Sequence, residues 1–135
     1  MDCLEYLNNR KKMDEKNLVC KKCNKKRTVY CSKEIKTFPK TLIFSLNKNE
    51  LKNGEKIIIK EKLHLKKNNI NFDYNLIAAI KEIGLHHFIA YCKNGLNNWY
   101  MYDDEKVEES SFIEINSNTI PSILFFCSDN IPKFK

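Results

Sequence analysis

From Leu85 to Asp104 two mostly apolar runs are separated by a polar turn signal. His87-Phe88-Ile89-Ala90-Tyr91-Cys92 and Trp99-Tyr100-Met101-Tyr102 are rich in β-branched and aromatic residues, and Asn94-Gly95 lies between them. That arrangement predicts two antiparallel strands joined by a tight hairpin. With the turn centred on Gly95, Tyr91 faces Trp99 and His87 faces Asp103; a turn between Gly95 and Leu96 sets His87 against Asp104 instead. Opposed side chains share a face of the sheet with Cβ atoms roughly 5 Å apart, close enough for a carboxylate to accept an imidazole N–H.

Other stretches carry similar patterns. Met1 to about Met13, with Leu4, Tyr6 and Leu7, reads as a short amphipathic helix. The near-continuous apolar run from Phe38 to Leu46 predicts a strand covered on both faces. Asn53-Gly54 marks a turn into a strand from Lys56 to Leu65, where Ile57, Ile59, Leu63 and Leu65 point inward and His64 points to solvent. Lys66 to Asn71 reads as a polar loop, Tyr74 to Ile80 as a strand, and Lys106 to Glu109 as a continuation of the meander. Ile120 to Phe126 closes the pattern, with Pro121 at the strand's start because proline cannot donate to a ladder.

At 135 residues and 42% hydrophobic content the chain fits one domain with a modest core. No apolar run approaches the roughly 20 residues that span a bilayer, and Asp2 and Glu5 replace the basic start of a signal peptide. The expectation is a cytoplasmic or nuclear protein. Six cysteines in that setting read as free thiols or metal ligands, with Cys92 and Cys127 as small residues inside strands. The net charge of +7 is uneven: 19 basic against 6 acidic residues from Arg10 to Lys67, and 5 against 9 from Asp73 onward. The excess is almost all lysine and comes with no nucleic-acid reading motif, so it reads first as solvated faces.

Two constellations carry chemistry. His87 with Asp103 is the base-and-orienter half of a nucleophilic triad, although such a pair across a hairpin also occurs as a surface contact. Cys20-Lys21-Lys22-Cys23 has the spacing that lets two thiolates hold one tetrahedral zinc ion, which makes it half of a site.

Taken together, His87-Phe88-Ile89-Ala90-Tyr91 and Trp99-Tyr100-Met101-Tyr102-Asp103-Asp104 resemble the histidine box of the ubiquitin-specific proteases: Gly-His-Tyr, a small residue, Ala-Tyr, a variable turn, then Trp-Tyr-x-aromatic-Asp-Asp. Phe38-Pro39 to Leu46, Tyr74 to Ile80, Glu105-Lys106-Val107 and Ile120 to Phe126 resemble further stretches of that family in the correct order. The resemblance implies a mainly β, papain-like cysteine proteinase fold of α+β family type, with an antiparallel palm sheet of about five to six strands. It implies a division into a fingers remnant at 1–37 and a palm at 38–135, without the helical thumb. By resemblance His87 is the general base and Asp103 orients it, and His86, Phe88 and Asp104 border the substrate. Cys20 and Cys23 are one half of the family's zinc site, whose other Cys-x-x-Cys has no counterpart in this sequence. His86 stands where the family has glycine, and none of Cys3, Cys20, Cys23, Cys31, Cys92 and Cys127 stands in the motif of the nucleophile.

The implied reading is the C-terminal half of a deubiquitinase catalytic domain, with ubiquitin or a ubiquitinated protein as partner and the missing N-terminal half as a second. Two alternatives stand beside it: a catalytically inactive ubiquitin-binding relative, and a small basic Cys-x-x-Cys module that binds nucleic acid. No membrane partner is expected.

Overall fold

A computed structural model describes residues 11–13, 19–25, 29–31, 36–47, 57–67, 69–117 and 119–128. Of the helix expected from Met1 to about Met13, the part up to Arg10 lies outside these residues, as does the Asn53-Gly54 turn. The described chain is built of nine strands and one short helix: β1 (Lys11–Met13), β2 (Val29–Cys31), β3 (Thr41–Ser45), β4 (Lys62–Lys67), β5 (Ile70–Ile83), β6 (His87–Lys93), β7 (Trp99–Asp103), β8 (Lys106–Ser110), α1 (Phe112–Asn116) and β9 (Ile123–Ser128). β1 and β2 form a separate two-stranded ladder, so Lys11–Met13 is strand and not the end of a helix. No helix among the described residues is long and apolar enough to cross a membrane.

The remaining strands make one antiparallel sheet of seven, in the order β3-β9-β5-β6-β7-β8 with β4 paired to β5. About five to six strands are expected from the sequence, and the stretch read as a loop at Lys66 to Asn71 is itself strand, continuing the β4–β5 ladder to Lys67↔Ile70. Asn69 in the left-handed region (φ 61°) turns the chain there, a conformation asparagine tolerates better than most residues. β5 is the spine. Its first half pairs with β4, its second half with β6, and its middle with β9. One bulge interrupts the β9 ladder between Leu76 and Ala78.

Cross-strand partners share a face, which sorts the side chains into two sets. Leu42, Phe44, Tyr74, Leu76, Ala79, Ile89, Tyr91, Trp99, Leu124 and Phe126 are buried on one face, joined by Ile57, Ile59 and by Ile115 of α1. The opposite face carries Ile43, Phe88, Tyr102 and Val107, all exposed, with Phe125, Ile80, Ala90 and Cys92 half-buried between them. β3 therefore alternates, with Leu42 and Phe44 inside and Ile43 62% exposed, and is not covered on both sides as its apolar run suggests. The charged edge strand β8, with its Lys106–Glu108 ion pair, ends the sheet on the other side in the manner that blunts edge-to-edge pairing.

Burial fixes the expected response to mutation. Leu76→Ala, at a side chain with no exposure, should destabilise the chain by about 2–5 kcal/mol, while Ile43→Ser on the open face should change stability by no more than about 0.5 kcal/mol. Urea denaturation followed by circular dichroism checks both.

Candidate functional site

His87 opens β6 and Asp103 closes β7, and both fall on the face that carries the core. Their contact is direct: Nε2 of His87 lies 2.6 Å from Oδ1 of Asp103, with both side chains partly exposed. The register that produces it differs from the one the Asn94-Gly95 signal suggests. Lys93 pairs with Trp99 and Ala90 with Tyr102, so the hairpin is centred on Leu96. Asn94 sets this longer loop. Its Oδ1 accepts the N–H of Leu96 and of Asn98, its own N–H donates to the Asn98 carbonyl, and Asn97 rather than Gly95 takes positive φ.

Moving the centre by one residue shifts each partner by two, and strand side chains alternate with period two. His87 and Asp103 therefore stay on one face but meet as diagonal neighbours, a separation that an imidazole and a carboxylate can bridge. The ladder between β6 and β7 runs only from Lys93↔Trp99 to Ala90↔Tyr102, so neither residue is paired to the other's strand at the point of contact.

Asp103 raises the His87 pKa above its ordinary value, chiefly through the hydrogen bond and then through charge; partial burial opposes this and Asp104 adds to it. The imidazole N–H at Nε2 donates to the carboxylate, which leaves Nδ1 as the ring nitrogen able to take a proton from another group. His87, Asp103 and Asp104 each offer a ligand atom within 4.8 Å of the others.

The other sequence-predicted residues are placed as follows. Asp104 is exposed at the β7–β8 turn with φ 51°. Phe88 projects from the open face, on the side of the sheet away from His87. His86 lies in the three-residue turn Gly84-Leu85-His86, where it and Gly84 both have φ above 60°. That conformation explains why glycine suits the position before His87. Cys20 and Cys23 sit on a tight turn closed by Asn24 N–H to the Cys20 carbonyl and Cys20 N–H to the Lys25 carbonyl. Backbone N–H groups of Lys22 and Cys23, then the Cys23 side chain, lower the Cys20 pKa. A turn that aims N–H groups at a sulfur suits a thiolate, and Cys20 and Cys23 are two of the four donors that a structural zinc would need. Cys92 and Cys127 lie on the face opposite His87, and burial pushes the Cys92 thiol up.

Two features escaped the sequence reading. His64 Nδ1 contacts Asp73 Oδ1 at 2.6 Å, a second imidazole–carboxylate pair, but on the open face and more exposed. Lys93 bonds Glu61 at 2.7 Å while lying over the Trp99 ring, which anchors the far end of the β6–β7 hairpin to the segment before β4. No local pattern couples Glu61 to residues more than thirty positions away.

Comparison with known proteins adds a family and a fold. Residues 11–126 match the model of the ubiquitin carboxyl-terminal hydrolase family. The yeast SAGA DUB module with a mutant Sgf73 superposes with a TM-score of 0.75 at 22% identity, covering 96% of this chain and 32% of that one. The SAGA DUB module of Ubp8, Sgf11, Sus1 and Sgf73 bound to monoubiquitin gives 0.71 at 22% identity with the same coverage. The Saccharomyces cerevisiae Pan2 pseudoubiquitin hydrolase–RNA exonuclease module in complex with RNA gives 0.56 at 20% identity, over 75% of this chain and 22% of that one. The chain thus spans 32% of the SAGA chains it resembles, and the likeness to the solved structures establishes a shared fold.

Two substitutions probe this geometry. Asp103→Asn should return the His87 titration toward its ordinary value of about 6.5, followed by NMR of the ring protons. Because the folded pKa is the raised one, the stability the pair adds is fully present below about pH 6.5 and fades as pH climbs through the folded value. Wild type and Asp103→Asn should accordingly converge in alkaline denaturation curves. His86→Gly should relieve the left-handed backbone and raise stability by up to about 1 kcal/mol, read as a shift in urea midpoint.

Proposed function

The chain belongs to the ubiquitin carboxyl-terminal hydrolase family, and from that premise we propose that it is the C-terminal half of a cysteine-type deubiquitinase catalytic domain. The observation that carries this is the 2.6 Å contact between His87 Nε2 and Asp103, which fixes the imidazole with Nδ1 outward. Residues 1–37 are the fingers remnant and 38–135 the palm. Ubiquitin, or a ubiquitinated protein, is the partner.

In this reading Nδ1 of His87 takes the proton of a thiol supplied from outside the described residues. The thiolate attacks the carbonyl carbon of the isopeptide bond that follows ubiquitin's C-terminal glycine. The imidazolium, stabilised by Asp103, then protonates the departing lysine amine, and water later hydrolyses the thioester with His87 again accepting the proton. Asp103 holds the ring with the proton on Nε2 throughout. Asp104 and His86 border the approach of the ubiquitin tail, whereas Phe88, on the opposite face of the sheet, does not. Cys20 and Cys23 supply half of a structural zinc site that a second pair of thiolates completes.

A second reading has specific support. One fold neighbour is described as a pseudoubiquitin hydrolase, and Cys92 and Cys127 stand on the wrong face of the sheet to serve His87. In that reading the same surfaces bind ubiquitin without cleaving it.

A ubiquitin bearing a C-terminal vinyl electrophile separates the two. Expressed together with the polypeptide encoded upstream, the active form should be labelled covalently, and His87→Ala should slow labelling by about 10²–10⁴-fold. Ubiquitin binding without labelling, in a preparation that contains the upstream half, supports the inactive relative. Absence of both overturns the proposal.

A further inference from the structure

His87 and Asp103 belong to different strand pairs. Along the sheet, the His87 end of β6 is held by β5 through Ile83↔His87, and Asp103 is held by β8 through Asp103↔Lys106. The β6–β7 ladder has already stopped at Ala90↔Tyr102. A contact of 2.6 Å at the end of two such units needs something that keeps the units from splaying.

Lys81 sits where such a restraint is required. It lies on β5 two residues before Ile83, on the core face, and is 3% exposed. Its ammonium crosses above the ring of Tyr91 on β6, 5.5 Å from the centroid. It then donates to the carbonyl of Glu114 at 2.6 Å and of Ser117 at 2.8 Å. Those carbonyls close α1, which follows β8 directly through Ser111. Both carbonyls also accept a backbone N–H, Glu114 from Ser117 and Ser117 from Thr119, so the lysine adds a charged donor to a helix end that is already capped. Ile115, on the same helix, has no exposure and fixes α1 against the core face.

We propose that Lys81 is a positioning residue for the His87–Asp103 pair, tying β5 and β6 to the β7–β8–α1 unit across the core face of the sheet. It touches neither reacting group and acts by holding the strand that carries His87 at a fixed distance from the hairpin that carries Asp103. The inference deepens the reading of His87 and Asp103 as the proton-transfer pair. Its readout is nevertheless the state of the imidazole and needs no activity, so it can fail while that reading stands, or hold while that reading fails.

The test is ring ¹⁵N and ¹H NMR of His87, whose surroundings include Asp103 and Asp104 as charged groups. In Lys81→Met, a near match in length without the donors, the Nε2-protonated tautomer should give way to a mixture. Its proton affinity should fall about threefold or more, while Lys81→Arg restores both. Ser117→Gly removes the hydroxyl that bonds the Glu114 carbonyl at 2.8 Å and loosens the same helix end while leaving the Lys81 side chain and both of its carbonyl acceptors in the sequence. It should move His87 in the same direction by less, and it serves alone if Lys81→Met does not fold. A folded Lys81→Met, or failing that a folded Ser117→Gly, with His87 tautomer and titration unchanged overturns the proposal.

Discussion

β5 is the constraint on which the rest of the sheet depends. Fourteen residues in extended conformation form ladders with three other strands, and the bulge between Leu76 and Ala78 is their one irregularity on the β9 side. Backbone donors and acceptors buried in a sheet must be paired. A strand that satisfies β4, β6 and β9 at once therefore dictates where all of them lie. Its side chains do the same for the core: Tyr74, Leu76 and Ala79 are essentially without exposure, and Leu124 and Phe126 of β9 pack beside them.

The two faces of that sheet divide the labour. One is closed by apolar packing and by α1, and the candidate pair stands at its rim, partly exposed and open enough to meet a substrate. The other presents Ile43, Phe88 and Tyr102 to solvent across several strands. An apolar surface of this breadth is characteristic of an interaction face.

Much of this was legible in the amino-acid order because alternation is a local signal. The strands from Tyr74 to Asp103 stand out by β-branched and aromatic content, and the face of each residue follows from parity alone. That is why His87 and Asp103 share a face under the expected centre at Gly95 and under the observed one at Leu96: an error of one residue in the centre preserves parity, whereas a centre between Gly95 and Leu96 would set Asp104 against His87. What the sequence hid were tertiary decisions. The β4–β5 ladder runs through a polar stretch because Asn69 accepts positive φ, and Ile43 is exposed because it lies on the open face of the sheet. The side-chain cap supplied by Asn94 overrode the dipeptide preference for Gly95. Lys81 and Glu61 find partners more than thirty residues away, beyond the reach of any periodicity.

The departure at His86 follows from the same logic. The turn from β5 into β6 is only three residues long, and to bring His87 onto the core face it needs two left-handed positions, Gly84 and His86. Glycine at the first costs nothing sterically; histidine at the second is held in a conformation that costs it about 1–2 kcal/mol. The ladders on either side, Ile83↔His87 and Glu82↔Phe88, are what hold it there. Strain placed immediately before the imidazole is thus balanced by the register that aims it, so the orientation of His87 is set by backbone pairing on one side and by the Asp103 carboxylate on the other.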